Sequence, residues 1–360
     1  MSTRELHTGE LRPGNLHPAD LHPGSFRLPV LGTPVRTGEA VRCLLLAVAT
    51  LAIGIWAMGL GDLPLTPGQV VQALLHDDGF TSTVVREWRA PRVLGAMVLG
   101  AALAVSGAIF QSLTRNPLGS PDVIGFSTGA YTGVLFATTV VGGSFVSTSV
   151  GALAGGLATA LLVYLLASRG GGMQGYRLII VGIGVTAMLH ALNLFLLMRV
   201  QAEVAMAASI WGAGTISLLG WSTLLPAMLA LLVLVPGVAA LVGPLRQLEL
   251  GDDAASAHGV AVERSRVALM VVAVALVAVV TAAAGPIAFV ALAAPQIAHR
   301  LLGSAGIPVL GSALCGAFLL LGADVAAQNL LGTNVPVGIV TVVGGGLYLL
   351  VLLVVRMRTP

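Results

Sequence analysis

Lysine is absent from this chain of 360 residues; every one of its 18 Lys or Arg positions is arginine. That absence excludes the phosphate-gripping lysine of a P-loop and the Schiff-base lysine of carbonyl chemistry. If ATP drives this protein, another subunit binds the nucleotide. Charge of either sign is scarce, at 9% of residues against about 25% in soluble domains. Only two cysteines occur, Cys43 and Cys315, far apart and in or beside apolar runs, so neither a disulfide framework nor a CxxC metal site can be drawn. No basic stripe with interleaved aromatics accompanies the sequence pI of about 9.3, which argues against a nucleic-acid partner. No HExxH, paired carboxylates or nucleophile elbow marks a membrane-embedded enzyme.

Apolar sequence is what the chain has instead. With 56% hydrophobic residues and a mean hydropathy of +0.96, it is built to dissolve in lipid. Apolar runs predict spans near 41–60, 91–113, 122–141, 149–168, 177–199, 222–243, 266–284, 286–302, 308–330 and 336–356, an all-α polytopic membrane protein of about ten transmembrane helices. Ten crossings put both termini on one side. Placing them in the cytoplasm leaves only Arg86, Arg89, Arg92 and Arg199 of the 18 arginines outside, as the positive-inside rule requires. Residues 1–40 are polar, with a five-residue rhythm from Leu6 through Leu11, Leu16 and Leu21; their Pro and Gly content predicts a disordered cytoplasmic tail. The first apolar run starts at Val41, lasts a full span and has no clear cleavage site after it, so it does not read as a signal peptide.

Punctuation and charge pick out two regions. Around the second span, Arg89 and Arg92 precede the apolar run, and Asn116, Pro117, Pro121 and Asp122 follow it. The prolines stop the helix and turn the chain, with Asn116 and Asp122 able to cap exposed backbone groups. Within that span Gly100, Ala104 and Ala108 recur every fourth residue, the small-residue face that lets helices approach in lipid. Further on, Gly285 and Pro286 break the apolar run between the seventh and eighth spans. The other region is the island 246–266, which holds 7 of the 33 charged residues. Flanked by apolar runs, it must sit in water, and its small-residue content predicts a short amphipathic helix shown to a partner.

The stretch RAPRVLGAMVLGAALAVSGAIFQSLTRNPLGSPDVIGFSTGA resembles the signature of the permease subunits of iron-chelate and cobalamin ABC importers. Three later segments agree in order: LELGDDAASAHGV, AAGPIAFVALAAPQIAHRLLG and GADVAAQNLLGTNVPVGIVTVVGG. The resemblance covers about 41–356 and implies the type II importer permease fold: a ten-helix permease domain that pairs with a second permease, sits on two cytoplasmic ATPase subunits and receives cargo from an extracytoplasmic binding protein. It implies no catalytic residue, no metal and no cofactor bound by this chain, ATP being used by the partner. Leu250, Gly251, Asp252, Asp253, Ala254, Ala255, His258 and Gly259 match the coupling loop that docks on the ATPase, where Gly259 would end the helix and the aspartates suit its first turn. Arg89 and Arg92 match two arginines that pair with acidic residues of the binding protein. A third arginine of the family is Gln328 here, and Gln296 and Gly346 are further departures; Pro295 is kept and implies a kept turn.

The resulting expectation is a permease in a bacterial cytoplasmic membrane importing a ferric siderophore, with cobalamin or heme as alternative cargo. The second permease is expected to be a related chain, with an identical one as the alternative. A proton-coupled secondary transporter is the rival class. It needs ionisable groups inside the membrane, where only Asp324 and His190 are candidates. Asp324 is expected to be a hydrogen-bonded structural carboxylate, because no His, Cys or second acid lies at ligand spacing.

Overall fold

Lipid offers backbone groups no hydrogen-bond partner, so apolar runs of this length are dictated to be helical. The computed structural model describes residues 25–27, 34–77, 79–122, 125–140, 145–168, 175–304, 306–330 and 335–358. A short antiparallel ribbon of β1 (Ser25–Arg27) and β2 (Pro34–Arg36) leads into α1 (Thr37–Gly59). Then follow α2 (Pro67–Leu75), α3 (Phe80–Thr83), a π-helical turn (Val84–Arg89) and α4 (Ala90–Thr114). The rest of the bundle is α5 (Phe126–Val140), α6 (Phe145–Ala167), α7 (Gly175–Leu197), α8 (Ala202–Gly212), α9 (Trp221–Glu249), α10 (Asp252–Ala257), α11 (Val262–Ala284), α12 (Val290–Leu302), α13 (Val309–Asn329) and α14 (Val337–Arg358).

Ten of these helices fall where the apolar runs place spans, yet only seven stretches of the described residues are long and apolar enough to cross a membrane by themselves. The 13 residues of α12 reach about 20 Å at 1.5 Å per residue, short of the ~30 Å hydrocarbon core. Short α5 and α12 are tolerated because protein covers them: α5 lies against α6, and α12 packs on α4 and α13. The polar tail expected over 1–40 gives way early, since α1 begins at Thr37; the repeats over 6–24 lie outside the described residues. Three helices, α2, α3 and α8, are not expected from the apolar pattern. The first is built by a capping box, in which Thr66 and Gln69 satisfy each other's backbone N–H groups, with Pro67 at the first helical position.

At the centre stands α4, contacted by α1, α9, α11, α12 and α13. Its Leu99, Leu103, Ile109 and Phe110 are buried, and Ser106 Oγ donates to the Ala273 carbonyl at 2.8 Å. Its small-residue face meets α13 backbone to backbone: a Cβ on Gly100 would run into the carbonyl oxygen of Gly316. Such close approach supplies the van der Waals contact that replaces the hydrophobic effect between helices in lipid. Outward, α1, α7 and α9 present exposed Leu, Val and Ile side chains, as a lipid-facing surface should.

Pro295 does not make a turn. It sits inside α12, which runs on to Leu302. A proline removes the hydrogen bond to the carbonyl four residues back, here that of Ala291, and α4 packs into the gap: a Cβ on Gly107 would collide with that very oxygen. Gln111 Nε2 donates to the next carbonyl, Leu292 O, at 2.9 Å, and Gln296 Nε2 donates to Gln111 Oε1 at 2.7 Å. Gly285, with φ +71, ends α11, and Pro286 follows it in the non-helical stretch before α12. The Gly344–Gly346 run leaves α14 unbroken.

Candidate functional site

Because α4 is about 37 Å long at 1.5 Å per residue, it carries the Arg89 and Arg92 cluster at one end and the Arg115 cluster at the other. At the first end the π-helical turn and the start of α4 aim three arginines inward. Arg86 donates to the carbonyls of Ala73, Leu74 and His76 and so finishes the C-terminus of α2. Arg89 donates to Met58 O at 2.7 Å and Leu63 O at 2.8 Å, doing the same for α1. Cations suit helix C-termini, where carbonyls go unpaired.

Arg92 does something different. Its Nε and Nη2 both reach Asp324 on α13, the closest contact 2.8 Å, with the Asp324 side chain 2% exposed and the Arg92 side chain 18% exposed. Gln328, one turn further along α13, donates Nε2 to Asp324 Oδ2 at 2.6 Å. The carboxylate expected to be hydrogen-bonded is thus one half of a bidentate ion pair across 232 positions of sequence. The amide standing where the resemblance implies arginine is spent on the same carboxylate. Arg92 and Gln328, with Arg89, border a cavity of about 460 Å³ lined also by Asp62, Trp88 and Asn329.

At the opposite end the charged island is not one helix. Its first residues complete α9, its last begin α11, and only Asp252–Ala257 forms the separate turn α10. Gly251, with φ +117, permits the break before α10. Gly259, with φ +81, permits the one after it: Gly259 N–H donates to Ser256 O and Val260 N–H to Ala255 O, a glycine-terminated helix end. Asp252 holds this piece in place. Its Oδ1 accepts from Arg115 and from Arg266, each at 2.6 Å, while Arg115 also donates to Leu248 O at 3.1 Å. Partial burial pushes the Asp252 pKa up, but the hydrogen bonds and charges of Arg266 and Arg115 outweigh it and hold the carboxyl below its usual range. Ser112 Oγ donates to Glu249 at 2.5 Å and His258 Nδ1 meets Gln247 Oε1 at 2.8 Å. Within α10 Ala255 is the buried residue. Asp253, Ser256, Ala257, His258 and Gly259 face out, and Leu250 leaves an apolar side chain 68% exposed.

Between α4 and α5, Arg115 takes a left-handed backbone with φ +48, and Asn116 Oδ1 accepts from Leu118 N–H at 2.9 Å, turning the chain through Pro117 towards Pro121. Asp122 accepts from Ser127 Oγ at 2.5 Å. The Arg92–Asp324 pairing went unread in the sequence. Its signal was present nonetheless: an acid within an apolar helix needs a polar or charged partner, and Arg92 at the start of another apolar helix is a candidate.

A bundle of apolar helices with an arginine-rich rim at one end, and at the other a charged loop exposing a short Ala-rich helix, defines a membrane permease with the type II importer fold. The chain belongs to the FecCD transport family, whose pattern matches residues 47–355. It is 50% identical over 320 residues to the ferric enterobactin transport system permease protein FepG of Escherichia coli (strain K12), covering 88% of this chain and 97% of that one. The achromobactin transport system permease protein CbrC of Dickeya dadantii (strain 3937) is 35% identical over 325 residues, 87% and 91% of the two chains. The cobalamin import system permease protein BtuC of Halobacterium salinarum is 33% identical over 280 residues, 75% and 73% of the two. Among solved structures, an inward-facing metal-chelate type ABC transporter matches with a TM-score of 0.77 at 26% identity, over 87% of this chain and 99% of that one.

Proposed function

We propose that the chain is the permease subunit of a binding-protein-dependent ABC importer that carries a ferric siderophore into a bacterial cell. The observation that carries this reading is the 50% identity, over 88% of the chain, to a ferric enterobactin permease. In this reading both termini and α10 lie in the cytoplasm. Two ATPase subunits receive α10 with its flanking residues Leu250 to Gly259, and the nucleotide chemistry is theirs. Leu250, exposed beside a helix anchored by Asp252 and Ala255, is the apolar contact a partner groove would cover. A second, related permease completes the pathway, since no span set of this size encloses a wide path alone.

The extracytoplasmic binding protein docks on the rim that carries Arg89 and Arg92. Asp324 takes Nε and Nη2 of Arg92 and leaves Nη1 to an incoming carboxylate. Transport proceeds by alternating access: ATP closes the ATPases, α10 moves with them, and the helices rock around the path.

Deleting the gene in a strain grown under iron limitation should abolish growth on ferric enterobactin and leave uptake of free iron intact. Growth on every ferric siderophore with failure on cobalamin would show that the cargo is wrong and the importer class right. Uptake that persists after loss of the ATPase would instead favour a proton-coupled transporter.

A further inference from the structure

Away from both charged clusters, α5, α7, α8, α14 and the stretch between α11 and α12 converge on a cavity of about 420 Å³, within the range of small-molecule sites. Its polar side chains are Ser127, Thr128 and Tyr131 from α5 and His190 and Asn193 from α7; no acidic side chain is among the described residues that line it. His190 is exposed on the surface of a helix long and apolar enough to cross a membrane. Ionisable groups at such depth face protein or water, not lipid. One turn further, Asn193 is 1% exposed; its Nδ2 donates to Thr128 O at 3.3 Å, while its Oδ1 has no hydrogen-bond partner. A buried amide oxygen without a donor is costly and needs a reason to persist. Opposite, Tyr131 is stacked on Trp211, centroids 6.4 Å apart and planes 13° from parallel, which fixes its ring.

We infer that this cavity is a cargo-contact station on the water-filled translocation path, where His190 donates a hydrogen bond to the oxygen-rich surface of a ferric chelate and Asn193 Oδ1 accepts one from the chelate's amide or hydroxyl groups. The inference takes its ligand class from the proposed function. It adds that the path itself discriminates: a cargo without outward oxygens would leave His190 without an acceptor.

The test uses the whole importer, with its binding protein and ATPases, in proteoliposomes. In a background carrying Cys43→Ser and Cys315→Ser, the thiol of His190→Cys should react with a charged, membrane-impermeant methanethiosulfonate, and ferric enterobactin should slow that reaction about fivefold or more by occupying the cavity. Leu232→Cys, 65% exposed on the apolar face of α9, should stay unreactive. His190→Leu should lower uptake of radiolabelled ferric enterobactin about tenfold while ATP hydrolysis stimulated by the loaded binding protein stays within about twofold. His190→Gln, which keeps a donor, should restore most of the uptake. A thiol at 190 that never reacts, or reacts without protection by the chelate, overturns the inference, as does full uptake by His190→Leu. Wild-type vesicles that take up ferric enterobactin with His190 indifferent sink this inference alone. Wild-type vesicles that take up no ferric chelate overturn the proposed function together with it.

Discussion

The Arg92–Asp324 and Arg115–Asp252–Arg266 clusters are built from the same two residue types at nearly the same distances, 2.8 and 2.6 Å, and they do opposite work. At the rim the carboxylate side chain is 2% exposed and the pair clamps α4 to α13. At the charged loop Asp252 is 43% exposed and its pairs shape six residues of helix. Distance does not set the worth of an ion pair; the medium does. In water two charges 4 Å apart attract by about 1 kcal/mol, and the attraction grows several-fold as the effective dielectric constant falls. Burial also makes each partner costly to strand, so the rim pair is a fixed lock. At the loop the carboxylate is half open to water, so although Arg266 is itself 12% exposed, releasing Asp252 costs less than releasing Asp324.

The largest effect should come from stranding one rim charge. Asp324→Leu leaves Arg92 without its buried partner and should cost about 3–5 kcal/mol, seen as a lowered unfolding temperature in detergent. Arg92→Met combined with Asp324→Leu should recover most of it. A single variant as stable as wild type would erase the contrast between the two clusters. Reversing Arg92 to Glu is a poor probe of docking for the same reason, because it would set two carboxylates side by side.

Next in size is Gly259→Val. At φ +81 a β-branched residue should cost about 1–2 kcal/mol locally, with no Cβ collision to add to it. The protein should still insert, while stimulation of the purified ATPase falls about tenfold or more as α10 loses its end. Normal stimulation would remove α10 from the coupling role.

Asp252→Asn should cost about 1 kcal/mol, because the carboxylate it replaces is 43% exposed and such pairs are screened. Its pKa is held down by Arg266 and Arg115 against the opposing effect of partial burial. A depressed folded pKa means that the contribution is fully present above the unfolded value, about 3.9, and is lost as pH falls through the lower folded value. Unfolding measured from pH 6 to 8 should therefore show the same small gap between variant and wild type throughout; a gap that opens with rising pH would contradict the pairing.

The smallest effect is expected from Gln328→Arg, which sets a second cation beside Asp324. Capture of the loaded binding protein should tighten only a few-fold and become more sensitive to salt. Unchanged affinity at low ionic strength would show that position 328 serves Asp324 and nothing outside the chain.

Hydropathy made most of the helices legible, because for a chain whose solvent is lipid the apolar run is itself the structural element. Where the reading slipped, a local rule was overridden by packing. Pro295 reads as a turn, yet α12 continues through it because Gly107 lets α4 press against the freed Ala291 carbonyl and Gln111 takes the next one. The charged island reads as one amphipathic helix, yet Gly251 and Gly259 cut it, leaving six residues as α10. The stretch proposed to couple to the ATPase stands out in the sequence as a pattern of small, acidic and glycine positions. Its anchoring does not, since Arg115 is 137 positions from Asp252 and pairing at that separation leaves no period in the sequence. The cavity around His190 was illegible for the same reason, its residues coming from five separate segments.

The most direct measurement is ATP-dependent accumulation of radiolabelled ferric enterobactin in proteoliposomes that hold this chain with a second permease and the ATPases, with loaded binding protein added outside. Accumulation that needs ATP and the binding protein, and that disappears when this chain is left out, is the predicted result. Accumulation of cobalamin but of no ferric chelate, or uptake that a proton gradient drives without ATP, would contradict it.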